Sequence, residues 1–143
     1  DKSHKERLKL IERIYKKYSS IFKFFIYLFY NDKSIKTFLP IKNEKLSYND
    51  YLSVLAKSKS VLDIALAGQK GPTTRFNDAL STKTKVITTN REIKKYPLYT
   101  SNVLIINKKS LQVKKNFIET PFIDSDLSYM TIELWKKTLF SEK

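Results

Sequence analysis

The 143-residue sequence predicts a single α/β domain, a parallel sheet flanked by helices, on three observations. Two short apolar, β-branched runs, 61–66 and 85–89, read as strands, the first of them buried on both faces. Between them lie a glycine-containing loop, 67–72, and a helical pattern from Thr73 to about Leu80, which makes a strand–loop–helix–strand unit. Outside that unit, helical patterns opened by capping residues alternate with further strand candidates, the signature of a parallel sheet with crossover connections.

Taken in order, Ser3-His4-Lys5-Glu6 has capping-box spacing, so Ser3 is expected to cap a helix running to about Tyr18. Leu8, Ile11, Ile14, Tyr15 and Tyr18 form its inward stripe, while Lys5, Glu6, Lys9, Glu12 and Lys16 face water. The aromatic-rich residues 21–30 fit a buried strand near the middle of the sheet, and 31–46, with Pro40, reads as a polar loop. Ser47 caps a helix over 48–58 that buries Tyr51, Leu52 and Leu55. Asp63 is the odd residue of the next strand, because a buried carboxylate must be paired; loop N–H groups are its expected partners. After Thr89, residues 91–96 form a loop or a short turn stopped by Pro97. Residues 103–107 make a strand, and 111–117 a helix ended by Pro121. Ser128 then caps a last helix to about Phe140, with Ile132, Trp135 and Leu139 on one face.

The chemistry concentrates at the corner between the strand at 61–66 and the helix after it. In such units the loop and the helix N-terminus meet at the carboxyl edge of the sheet, where free N–H groups and the helix dipole favour an anion such as a phosphate. Gly68 and Gly71, the only glycines in the chain, both fall in this loop. Thr73 or Thr74 can cap the helix. Arg75 stands in its first turn, where acidic residues are the rule, so it needs an anionic partner. Asp78, one turn on, can accept from sugar hydroxyls or hold Arg75; spacing alone equally allows a plain i,i+3 surface pair. A helix over 3–18 would bring Lys2, His4 and Arg7 to the same edge. There His4 reads as a solvated residue and Arg7 as a phosphate contact, and neither matches a family motif.

The stretch Gln69-Lys70-Gly71-Pro72-Thr73-Thr74-Arg75-Phe76-Asn77-Asp78-Ala79-Leu80, followed by Lys85-Val86-Ile87-Thr88-Thr89-Asn90, resembles the G-x-x-x-R-x-x-E-A-L…K-x-I-T-T-N segment of bacterial GT-B-type glycosyltransferases of capsule and lipopolysaccharide synthesis. Ser47-Tyr48-x-x-Tyr51-Leu52, Val61-Leu62-Asp63-Ile64 and Ile93-Lys94-Lys95-Tyr96 extend the similarity over most of the chain. The resemblance implies the C-terminal, Rossmann-like, nucleotide-sugar-binding half of such an enzyme. In it Arg75 would lie near the donor diphosphate and Asp78 would hold ribose or sugar, these two carrying the catalytic roles. Gln69, Gly71, Thr73 and Thr74 would complete the binding set, to which Arg7 is added for its expected place at the same edge and not for a match to the family. The family's glutamate is an aspartate here, and its glycine-containing turn is replaced by Ser81-Thr82-Lys83-Thr84. The resemblance further implies a donor, with a uridine diphosphate carrier, as substrate rather than a cofactor. It also implies a glycan or lipid-linked acceptor, a missing N-terminal domain, and work in the cytoplasm at the inner face of the membrane. The start on Asp1 likewise reads as a piece of a longer chain.

Composition narrows the classes. The chain has no cysteine, hence no disulfide or thiolate metal site, and one histidine, which argues against a histidine-based metal centre. The net charge of +14 invites a nucleic-acid reading. Of the 28 basic residues only Arg7, Arg13, Arg75 and Arg91 are arginine, the cation preferred for base-edge and phosphate-fork recognition, so no nucleic-acid partner is expected. The apolar run 21–29 is broken by Lys23 and too short to span a bilayer, and no signal peptide is recognisable. Two other classes stay open: a non-catalytic phosphate- or nucleotide-binding α/β module, and a basic domain in peripheral contact with an anionic membrane or polymer.

Overall fold

The computed structural model describes residues 2–27, 35–42 and 44–124. In chain order these form α1 (Lys2–Tyr18), β1 (Ile26–Tyr27), β2 (Ile41–Lys42), α2 (Tyr48–Ala56), β3 (Ser60–Asp63), α3 (Thr74–Ser81), β4 (Lys85–Thr88), a 3-10 turn (Arg91–Lys95), β5 (Val103–Ile105) and α4 (Lys115–Glu119). The protein is a mixed α/β structure with short parallel sheets. One sheet runs β3-β4-β5, the other pairs β1 with β2. The helix predicted over 128–140, with Trp135, lies outside the described residues.

Strand alternation decides which side chains face which layer. Val61, Val86 and Val103, in register across the larger sheet, turn to the layer of α3 and the 3-10 turn, where Phe76, Ala79, Leu80, Ile93 and Leu98 close the core. Leu62, Ile87 and Leu104 turn to the other face, against Ile14 and Tyr18 of α1 with Ile106 and Leu111. All four residues of the central β4 are buried, as a parallel strand covered on both faces requires. α2 lies alongside α3, its Leu55 buried and its Leu55 carbonyl accepting from the Thr84 hydroxyl at 2.6 Å.

Local signals place the helices. Ser47 caps α2 as predicted, its hydroxyl accepting from the Asp50 N–H at 3.1 Å. Thr73, not Thr74, caps α3, accepting from the Phe76 N–H at 3.2 Å. α1 is already helical at Lys2, so Ser3 stands inside the helix rather than capping it.

Two other expectations are corrected. Residues 21–30 are expected to make a central strand; of the described residues among them, 21–27, only Ile26 and Tyr27 pair, and they pair with β2, inside the stretch expected to be a loop. Ile21 and Phe25 are exposed, with the Lys23 and Lys42 ammonium groups over the Phe25 ring at 5.3 and 5.5 Å. The expected helix over 111–117 starts four residues later. Leu111 is buried in a left-handed conformation (φ 50°), and the carbonyls around it are taken by α1 side chains. Arg13 donates to the Lys108 and Lys109 carbonyls, Lys17 to that of Ser110, and the Tyr18 hydroxyl to that of Leu111. The left-handed φ at Leu111 lies outside the helical region, and the Ser110 and Leu111 carbonyls, which the first turn of a helix from 111 would use, are drawn to α1 instead.

Lys85 anchors the short α4. Its chain is buried, and its ammonium donates to the Phe117 carbonyl at 2.6 Å and the Thr120 hydroxyl at 2.7 Å, over the Phe117 ring. A cation at the carbonyl end of a helix offsets its dipole; burial holds this ammonium below its ordinary pKa.

Candidate anion-binding site

β3 ends at Asp63 and α3 opens after Thr73, so the fold sets these two residues together at the carboxyl edge. The Asp63 carboxylate is 2% exposed and accepts from the hydroxyls of Thr73 at 3.1 Å and Thr88 at 3.3 Å. Its partners are therefore neighbouring threonines rather than the loop N–H groups expected from sequence. Thr88 in turn accepts from the Asn90 N–H at 3.1 Å, which extends the network to the end of β4.

Arg75 pairs in charge with this carboxylate, and Arg7 lies near enough to feel both charges. Arg75, in the first turn of α3 and 34% exposed, stands 3.9 Å from Asp63, close enough to pair in charge but too far for a hydrogen bond. Arg7 reaches the same place from α1. Burial first, then the positive charge of Arg75, pushes the Arg7 guanidinium below its ordinary pKa, and Asp63 pulls it back. The Arg7 Nε is buried and has no hydrogen-bond partner among the described residues. Arg75 thus pairs in charge with Asp63, and Arg7 is near enough for both charges to act on it while its buried Nε has no hydrogen-bond partner among the described residues.

The loop before α3 is held by its own side chains. Gln69 accepts from the Leu66 N–H at 3.2 Å, and the Asn90 amide donates to the carbonyls of Lys70 and Gly71, each at 3.2 Å. Gln69 therefore shapes the loop from within. Gly68 has φ 81°, a backbone that only glycine adopts freely, and a side chain at Gly71 would meet the Tyr96 hydroxyl at 3.5 Å. Thr74 is exposed at the first position of α3, and His4 is exposed on α1. Lys108 donates to the Ala65 carbonyl at 3.2 Å, closing the edge on the β5 side.

Asp78 does not face Arg75 as a simple surface pair. Its Oδ1 accepts from the Tyr48 hydroxyl at 2.9 Å. Tyr51, one turn further along α2, is hydrogen-bonded between Asp78 and Arg75; burial, then the charge of Asp78, raises its phenol to about 12. Tyr48 is raised too, chiefly by its hydrogen bond to Asp78. Both phenols are therefore donors at neutral pH. Sequence reasoning missed these tyrosines as site residues, although Tyr48 and Tyr51 at i,i+3 in the first turn of a capped helix would share a face.

The Tyr51 shift carries a pH prediction. A phenol whose folded pKa lies above its unfolded value of 10 stays protonated in the folded chain while the unfolded chain ionises. Stability held below pH 10 is therefore lost as pH rises toward about 12. Tyr51→Phe should flatten that part of the alkaline limb in denaturant titrations and remove one late phenolate from the ultraviolet titration. An unchanged limb would place Tyr51 outside the network.

Among the described residues no group of three or more histidine or acidic side chains could hold a metal ion, and no helix is long and apolar enough to cross a membrane. The expected residues thus fall into three sets. Arg7, Thr73 and Arg75 gather round Asp63; Asp78 is tied to α2; Gln69, Gly71 and Thr74 belong to the loop and helix start beside them. No family model matches this chain, and neither does any curated protein or solved structure.

Proposed function

We propose that this domain binds the diphosphate of a nucleotide-sugar, as the donor half of a Rossmann-like, GT-B-type glycosyltransferase of cell-surface polysaccharide synthesis. The observation that carries the reading is Arg75 paired in charge with the buried Asp63, with a second guanidinium, Arg7, near enough to feel both charges and its buried Nε without a hydrogen-bond partner among the described residues. Groups so placed at a carboxyl edge suit a diphosphate, which would accept from both arginines and from the first N–H groups of α3. The reaction would be attack by an acceptor hydroxyl on the anomeric carbon, with the nucleoside diphosphate leaving. Arg75 and Arg7 would stabilise the charge that develops on the leaving group, an electrostatic contribution that needs no covalent intermediate. Asp78 would accept from the ribose or sugar. Asp63, 2% exposed, would keep Arg75 in place rather than meet the acceptor as a base. An acceptor base belongs to a second domain in this reading, so the chain alone should bind donor and transfer little.

Calorimetric titration with uridine, guanosine and cytidine diphosphates and with a uridine diphosphate sugar, at physiological salt, tests the reading. Saturable binding should weaken roughly 10- to 150-fold in Arg75→Ala, the value of a charge-assisted hydrogen bond of about 1.5–3 kcal/mol. Binding that vanishes with added salt and ignores Arg75→Ala would instead mark a diffuse lysine effect. No binding to any nucleotide would overturn the proposal.

A further inference from the structure

Tyr48 is out of place as a packing residue. It opens α2, its side chain is 61% exposed, and yet it is not loose. Its hydroxyl is tied to Asp78 at 2.9 Å, and its ring lies 6.1 Å from that of Tyr51, tilted by 37°. The result is a flat aromatic surface held at both ends and open to solvent.

Its place in the fold gives that surface a use. α2 leads into β3 and α3 leads out of it, so both helices begin at the carboxyl edge. Along that edge three kinds of group follow one another. Arg75 stands in the first turn of α3, Asp78 follows one turn along and accepts from the Tyr48 hydroxyl, and Tyr51 interacts with both Asp78 and Arg75, which joins the cation, the carboxylate and the Tyr48 ring in one series. A nucleoside diphosphate carries complementary groups in the same order: an anion, then hydroxyls, then a flat base. A carboxylate has about four acceptor sites, so Asp78 can hold two tyrosine hydroxyls and still accept from a ribose.

We infer that Tyr48 is a stacking shelf for the base of a nucleoside diphosphate, held in position by Asp78. The inference rests on the diphosphate reading above and adds the base contact to it. Stacking on a ring gives affinity without strong choice among bases, so uridine and cytidine diphosphates should bind alike. The shelf belongs to the ring and not to the hydroxyl, which separates its loss from that of the Asp78 contact.

Inorganic pyrophosphate and uridine diphosphate, each titrated into the wild-type chain, Tyr48→Ala, Tyr48→Phe and Arg75→Ala, make the test. Uridine diphosphate should bind the wild type roughly 5- to 150-fold more tightly than pyrophosphate, and Tyr48→Ala should erase that margin while leaving pyrophosphate binding unchanged. Tyr48→Phe should keep most of the margin. The pyrophosphate arm also reports that each variant is folded. A margin that survives Tyr48→Ala overturns the shelf and leaves the diphosphate reading standing. A margin seen only when a sugar is attached to the diphosphate assigns the ring to the sugar and overturns the base contact. Pyrophosphate binding that is absent, or indifferent to Arg75→Ala, overturns the diphosphate reading and the shelf with it.

Discussion

Replacing Phe76 by alanine will lower the unfolding free energy by about 3–5 kcal/mol, the range for truncating a fully buried aromatic. Phe76 has no exposed surface and sits where α3 meets the sheet, among Ala79, Leu80, Val86, Ile93 and Val103. Those neighbours come from a helix, two strands and the 3-10 turn, so the cavity left behind cannot close by moving one element. Chemical denaturation should show the loss as a lower midpoint with little change in slope. A loss below about 1 kcal/mol would mean that the site relaxes freely, contrary to the packing described. Because Phe76 directly follows Arg75, its anchoring also fixes the start of α3 and with it the direction of the guanidinium.

Asp63→Ala is the second large effect, a loss of about 3 kcal/mol, at the lower end for removing one partner of a buried ion pair because Arg75 is still partly exposed to water. The substitution also strips Thr73 and Thr88 of their acceptor and removes the carboxylate that offsets the repulsion of Arg7 and Arg75. An anion can supply the missing charge. The melting temperature of the variant should therefore climb more steeply with added phosphate than that of the wild type, since a ligand that binds only the folded chain stabilises it by an amount that grows with the logarithm of its concentration relative to its Kd, and the variant's Kd is the lower. Sulfate or phosphate responses that are parallel in the two proteins would show that the two arginines do not share a site.

Much of the fold is legible in the sequence because local signals and burial agree there. The runs at 85–89 and 103–107 contain β4 and β5, the run at 61–66 overlaps β3 at 61–63 and overshoots its end, and Ser47 and Thr73 cap the helices they precede. Residues 21–27 mislead because aromatic content does not say which rings are buried: Phe22 and Phe24 pack against the core on the α1 side, while Phe25 is exposed beneath the Lys23 and Lys42 ammonium groups. The segment after β5 misleads because Arg13, Lys17 and Tyr18, more than ninety positions away in sequence, take its carbonyls. The site divides in the same way. Asp63, Thr73 and Arg75 lie within one strand–loop–helix turn, so their proximity follows from local structure. The approach of Arg7 from α1 and of Tyr48 and Tyr51 from α2 is set by how helices pack on the sheet. Asp78 was recognised as a carboxylate of the mouth, but its ties to α2 were not visible before the chain was folded.

Central to this account is an anion held at the carboxyl edge by Arg7 and Arg75. The most direct measurement is an amide map of the isotopically labelled chain during titration with uridine diphosphate at physiological salt. The account predicts saturable shifts at Arg7, Gly71, Thr73, Arg75 and Asp78 that disappear in Arg75→Ala. Amides that stay still there, while lysine-rich surfaces respond only at low salt, would contradict it.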